Sequence, residues 1–292
     1  MTILRLGLLQ YGVGRLDSFD AFAGKFDRLV AEGAAGADLL VFPEYACMEV
    51  AAALGAPPDP PAERDAVCAR AGDLLAVMRD AARRHGVWLL AGSLPWREAG
   101  GRVRNRAPLI APDGRLAFQD KSVMTRFESE TWGVGPGDPP AVFATPWGRL
   151  GVAICYDLEF PPLVRAQVEA GAWLVLAPSC TDTLHGFNRV RLSARARALE
   201  NQCFVAVAPT VGLAPHLATL DENHGFAGLY GPVDRGFPAD GILAEGGLDV
   251  AQFVFATLDP ARLDAVRADG AVRNHRDWPA APPPCRVSEA LG

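Results

Sequence analysis

The chain has 292 residues, of which 50% are hydrophobic and 21% charged, enough for one large α/β domain or two small ones with a full core. A net charge of −6 argues against a nucleic-acid binder, which would usually show a basic stripe. No apolar run is long enough to span a bilayer, and the N-terminus lacks the apolar core and cleavage site of a signal peptide, so no membrane association and a cytoplasmic location are expected.

In chain order, Ile3 to Gln10 reads as a buried strand. Ser18 suits the cap of a helix from Phe19 to about Ala34, with Phe22, Phe26 and Val30 on one face. Asp38 to Phe42 is a second strand, completing a βαβ unit within the first 42 residues and predicting a sheet with helical cover. A Pro-rich loop over 56–61 precedes one long amphipathic helix, Glu63 to His85, stopped by Gly86. Val87 to Ser93 is a strand. Val103 to Ile110 and Arg115 to Phe118 flank the turn Pro112-Asp113-Gly114 and form a hairpin. Asp120 to Pro140 is a long polar loop, too long to be idle in a compact domain. A second hairpin joins Ala141–Thr145 to Arg149–Ile154, and a helix is expected from just after Cys155 to about Ala170. Strands follow at 173–177, 203–208, 226–230, 242–244 and 252–258, with helices at 187–201 and 260–268. A single domain over 1–278 and a Pro-rich tail over 279–292 are expected.

Six cysteines without a CxxC pair point to free thiols rather than a disulfide framework. Cys155 lies in Gly151-Val152-Ala153-Ile154-Cys155-Tyr156-Asp157-Leu158-Glu159-Phe160-Pro161-Pro162, where an apolar strand runs into a helix start. A sulfur at such a junction faces backbone N–H groups and a helix dipole, which favour the thiolate; the plain alternative is an inert buried cysteine. Glu44 directly follows the strand 39–42, at the strand end where α/β sheets gather ligands; the alternative is an ordinary loop glutamate. Lys121 follows the 115–118 strand at the start of the long loop. Among 28 basic residues only Lys25 and Lys121 are lysines, so a compact point charge at this place stands out against the alternative of a solvated side chain.

Other chemistries fail on spacing. Gly12-Val13-Gly14 lacks the third glycine of a dinucleotide loop, where Asp17 stands. The five histidines have no local support as partners of a cysteine, and no metal-ligand spacing occurs, so neither a metal nor a cofactor is expected. The arginines at 189, 191, 195 and 197 could meet an acidic substrate, but internal pairing or an interface is the expectation.

Taken together, Phe42-Pro43-Glu44, Gln119-Asp120-Lys121 and Gly151 to Asp157 with Glu159-Phe160-Pro161 resemble the nitrilase superfamily, the carbon–nitrogen hydrolases, in order and separation. Gln10, Asn105, the stretch Arg195 to Asn201 and Tyr230-Gly231-Pro232 extend the resemblance over most of the chain. It implies a four-layer αββα sandwich that associates as a homodimer or higher homo-oligomer through its outer helices. It also implies a reaction in which Cys155 attacks an amide or nitrile carbon while Glu44 handles the proton. Lys121 and the N–H of Tyr156 would then hold the oxyanion. The family carries a second glutamate in the loop after the lysine. Of Glu128 and Glu130, the spacing of Glu130 to Gly137 selects Glu130. Tyr45, Trp132, Tyr156 and Ser179 are the candidates to line the substrate pocket. Pro162 stands where many relatives have Glu, which weakens transfer of substrate identity. The stretches Met124 to Glu128 and Asn274 to Trp278 resemble a branch in which this domain often accompanies an acetyltransferase domain, no trace of which occurs in this sequence. The expected substrate is a small primary carboxamide or N-carbamoyl compound. A nitrile, or a non-catalytic binding role on the same fold, is the alternative.

Overall fold

The computed structural model describes residues 2–279; most of the expected Pro-rich tail lies outside them. The elements run β1 (Leu4–Gly12), α1 (Phe19–Ala34), β2 (Leu39–Phe42), α2 (Pro60–Ala69), α3 (Ala71–His85), β3 (Trp88–Ala91), β4 (Leu94–Arg97), β5 (Val103–Ile110), β6 (Leu116–Asp120), β7 (Val142–Thr145) and β8 (Gly148–Val152). They continue with α4 (Pro161–Glu169), β9 (Ala172–Ser179), α5 (Leu184–Asn201), β10 (Phe204–Leu213), β11 (Glu222–Asn223), β12 (Gly228–Tyr230), β13 (Ile242–Glu245), β14 (Gln252–Leu258), α6 (Pro260–Asp269) and α7 (Asn274–Asp277).

Two twisted sheets lie face to face. The first has the order β6-β5-β3-β2-β1-β14, with β4 pairing along β5. The second has the order β7-β8-β9-β10-β12-β13. They join where Tyr11 and Gly12 at the end of β1 pair with Thr210 and Val211 of β10. In each sheet the three central strands are parallel. The pleat sorts the side chains. Leu4, Leu6 and Leu8 of β1, Leu39 and Val41 of β2, and Leu90 of β3 pack with Leu150, Leu174 and Phe204 of the second sheet. The alternate residues Leu9, Leu40, Phe42 and Leu89 pack under Phe22, Phe26 and Val30 of α1 and Leu74 and Met78 of α3. Val164, Val168, Val190 and Ala194 of α4 and α5 cover the other sheet. The result is the αββα sandwich. Truncating one of these fully buried leucines to alanine costs about 2–5 kcal/mol.

Three expectations shift. The single helix over 63–85 is two helices hinged at Arg70 (φ −110, ψ 10). The hinge lets α2 bring Glu63 under the 218–219 segment, where its carboxylate accepts from Ala218 N (2.8 Å) and Thr219 N (3.0 Å). The helix after Cys155 is not continuous either. A short 3₁₀ turn, Cys155–Glu159, ends at extended Phe160, and α4 starts afresh at Pro161. The strand expected at 173–177 runs on to Ser179.

Candidate active site

Strand ends bring the site together. Glu44 follows β2, Lys121 follows β6, Cys155 lies three residues past β8, and Cys180 follows β9. Two of the turns are strained. Tyr45 (φ 57) and Cys155 (φ 49) hold left-handed backbone conformations that non-glycine residues rarely adopt. Tyr45 is held there by its N–H bond to the Ser93 carbonyl (3.1 Å). The reversal at Cys155 turns its side chain out of the strand direction, and the thiol donates to the Cys180 carbonyl (3.6 Å).

The charges form one buried network. The Lys121 ammonium is 1% exposed and bonds both Glu44 Oε1 (2.8 Å) and Glu128 Oε2 (2.6 Å). Asn105 Nδ2 donates to Glu44 Oε1 (2.8 Å) and Glu128 Oε1 (3.1 Å). The Cys180 backbone N–H donates to Glu44 Oε2 (3.0 Å). Glu128 accepts further bonds from Tyr45 OH (3.0 Å), Thr125 N (2.9 Å) and Thr125 Oγ1 (3.0 Å). Burial alone would lower the Lys121 pKa, but Glu128 and Glu44 beside it hold it well above the usual lysine range. Burial would raise Glu128, but Lys121 and the donated hydrogen bonds hold it below the ordinary value. For Glu44 burial prevails, aided by the Glu128 charge and opposed by Lys121, and its carboxyl is pushed up to about 7. It is therefore poised to take and return a proton near neutrality.

Burial, reinforced by the Glu44 charge, holds the Cys155 thiol well above its usual range. This runs against the bias toward the thiolate that the strand-to-helix context carries. A five-residue 3₁₀ turn supplies little of the dipole that a full α-helix would, and the sulfur is buried beside a carboxylate. Burial and Glu44 thus favour the thiol form, which calls for a base.

The second glutamate is also corrected. Glu128 is buried at the heart of the network, whereas the Glu130 side chain is 59% exposed and pairs with Arg126 (2.9 Å). The π-helical turn Phe127–Thr131 puts the two carboxylates on opposite sides of the segment. Sequence carried a signal for Glu128: Thr125 and Glu128 form a Thr-x-x-Glu capping box, with Glu128 N donating to Thr125 Oγ1 (3.2 Å) in return for the Thr125 N–H.

A cavity of about 690 Å³ opens onto Cys155, Glu44 and Lys121. Tyr45, Trp132 and Tyr156 line it. Ser179 does not. Because β9 runs further than predicted, Ser179 stays within the strand and its hydroxyl donates to the Ala177 carbonyl (3.2 Å); Cys180 and Thr181 face the cavity instead. Phe127, Asp182, Arg189 and Asp221 complete much of the mouth. The Arg-rich face of α5 is committed to the fold. Arg189 pairs with Glu159 (3.3 Å), Arg191 with Glu245 (2.7 Å) and Arg197 with Glu200 (2.7 Å), while Arg195 donates to the Asp240 carbonyl (3.1 Å). Among the described residues no cluster of three His, Cys, Asp or Glu is arranged to hold a metal ion. Among them, too, no helix is long and apolar enough to cross a membrane.

The αββα sandwich is the fold of the nitrilase superfamily. The chain belongs to that superfamily's carbon–nitrogen hydrolase family, whose family model matches residues 5–231. It is 31% identical over 275 residues to the probable hydrolase YhcX of Bacillus subtilis, a match covering 94% of this chain and 53% of that protein. The chain thus spans about half the length of that relative. It is 30% identical over 219 residues to the omega-amidase NIT2 of Danio rerio, covering 71% of this chain and 74% of that one. Among solved structures it resembles the amidase from Nesterenkonia sp. AN1 in complex with acrylamide, with TM-score 0.67 and 26% identity, covering 94% of this chain and 97% of that one.

Proposed function

We propose that the chain is a cysteine-dependent amidohydrolase that cleaves the C–N bond of a small linear amide, a primary carboxamide or N-carbamoyl compound, through a thioester. The observation that carries this reading is a buried thiol at a strained turn, facing a cavity beside a carboxyl group that burial pushes up to about 7. In the reaction, Glu44 takes the thiol proton as Cys155 Sγ attacks the amide carbon. The Lys121 ammonium and the Tyr156 N–H receive the developing oxyanion, a contribution of about 3 kcal/mol for one such donor. Glu44 then protonates the nitrogen, ammonia leaves and the acyl group remains on sulfur. Water attacks the thioester as Glu44 takes its proton, the acid departs, and the thiol regains that proton. Every step uses groups of this chain. The names of the omega-amidase and the acrylamide-bound amidase support an amide over a nitrile.

The mouth bears on the acyl group. Arg126 and Arg189 are tied to Glu130 and Glu159, while Asp182 and Asp221 have no ion-pair partner among the described residues. A distal carboxylate on the substrate would meet uncompensated negative charge, so this reading favours neutral or cationic acyl groups. It also includes a homodimer, supported by Leu184, Leu192 and Leu199 exposed on α5, and a reducing cytoplasmic setting, supported by the unpaired cysteines at 47, 68, 155, 180 and 203.

The test is ammonia release from a panel of amides, carbamoyl compounds and nitriles, with Cys155→Ala as control. Turnover of amides that Cys155→Ala abolishes is expected. A substantial rate in Cys155→Ala would refute the thioester route. Nitriles turned over faster than their matching amides would favour a nitrilase. No release from any compound, with Cys155 inert to iodoacetamide, would sink the enzyme reading.

A further inference from the structure

Asp157 lies two residues beyond Cys155, is almost fully buried, and has no ion-pair partner among the described residues. Its carboxylate is spent on backbone. Oδ1 accepts from Val123 N (2.9 Å) and Ser122 N (3.1 Å), and Oδ2 accepts from Ile154 N (3.3 Å) and Ser122 N (3.2 Å). Ser122 is the residue after Lys121, and Ile154 is the residue before Cys155. One carboxylate therefore ties the segment that carries the ammonium to the segment that carries the sulfur. Lys121 is held on its other sides as well, by its N–H to the Asn105 carbonyl (2.8 Å) and by Gly137 N–H to its own carbonyl (2.8 Å). Only Asp157 connects this segment to the cysteine turn by side-chain hydrogen bonds among the described residues.

We propose that Asp157 is a positioning residue that fixes the Lys121 ammonium against Cys155 Sγ by clamping the backbone of both. The inference rests on the proposed reaction, because it gives the ammonium and the sulfur their roles. Burial pushes the Asp157 carboxyl up to about 6, against the opposing bonds from Val123, Ser122 and Ile154 and the charge of Lys121. Its ionised form is thus disfavoured by folding at neutral pH. In the sequence Asp157 is one residue of the motif around Cys155, with no role of its own. The structure gives it a partner in a segment 34 residues upstream.

The experiment is Asp157→Asn. Its amide nitrogen cannot accept, so one of the two sides of the clamp is released while the size of the side chain is kept. A displacement of about 1 Å between reacting groups costs on the order of a hundredfold in rate. The expected result for the folded variant is a kcat at least tenfold down with KM within about threefold, and an altered rate of Cys155 alkylation by iodoacetamide. A folded variant with kcat within twofold of the parent, or with a loss carried wholly by KM, would overturn the proposal. Where the variant does not fold, hydrogen exchange in the unmutated protein decides. The Ser122, Val123 and Ile154 amides are expected to be protected together, and rapid exchange at them would overturn the clamp. The exchange and alkylation readings do not need a turned-over amide, so they separate failure of the clamp from failure of the proposed reaction.

Discussion

Glu128 and Glu130 stand two residues apart and the site should distinguish them sharply. In Glu128→Gln the side-chain carbonyl must face Lys121 Nζ and Thr125 N, because neither donor can reverse. The new amide nitrogen then points at Asn105 Nδ2, a donor against a donor, while Tyr45 OH can rotate to accept. Lys121 keeps only Glu44 as a counter-charge. Breaking a buried pair by removing one partner costs about 3–5 kcal/mol, shared between folding and the placement of the ammonium. A lost or displaced oxyanion donor alone gives a fall in kcat on the order of 10²–10³-fold. The pH profile should move with it. The Glu128 charge helps raise Glu44 to about 7, so removing it lowers the Glu44 pKa and shifts the acid limb of kcat/KM to lower pH. Glu130→Gln removes only an exposed pair worth about 0.2–1 kcal/mol and should leave kcat within twofold. The assay is ammonia release from a small primary amide between pH 5 and 9 for the parent and both variants, with thermal unfolding as a check on folding. A folded Glu128→Gln protein within tenfold of the parent, or a Glu130→Gln loss of equal size, would refute the reasoning.

Glu44 acts as a base only when ionised, so kcat/KM should fall as pH drops through about 7. Glu44→Gln should lose about 10²–10⁴-fold in rate together with that acid limb; a limb retained in the variant would assign it elsewhere. For a matched pair of small amides, one ending in an ammonium and one in a carboxylate, the cation should have the higher kcat/KM, and Asp182→Asn with Asp221→Asn should narrow the gap; preference for the carboxylate would reverse the reading of the mouth. Gly92 has φ +72 and a Cβ there would overlap the Pro43 carbonyl, so Gly92→Ala should displace the Pro43-Glu44 turn. A loss of about 1–3 kcal/mol in stability, read by denaturant unfolding, and a reduced kcat are expected; an unchanged protein would show that the turn has slack.

The order of strands and helices was legible because period-two and helical apolar patterns and their Gly and Pro stops are local properties. So were Glu44, Lys121 and Cys155, each of which follows a recognisable strand closely. Arg70, which divides the helix expected over 63–85, carries no breaker residue type; the hinge comes from α2 and α3 packing on different neighbours. Ser179 was misplaced because two more residues of strand pairing, Pro178 and Ser179 against Ala208 and Pro209, leave it inside the sheet.

By itself the sequence singled out Glu44, Lys121 and Cys155 as candidates and the strands that precede them, since both follow from residue type and local pattern. Only the tertiary structure showed that Glu128, not Glu130, meets Lys121 and that Cys155 is buried beside Glu44. The carboxylate that matters is the one that meets Lys121, Asn105 and Tyr45, which arrive from three other segments of the chain. Burial and then Glu44 push the thiol's pKa up, against the little that a short turn supplies. Both are matters of distance and desolvation across the fold; the Thr125–Glu128 capping box is the one local trace of them in the sequence.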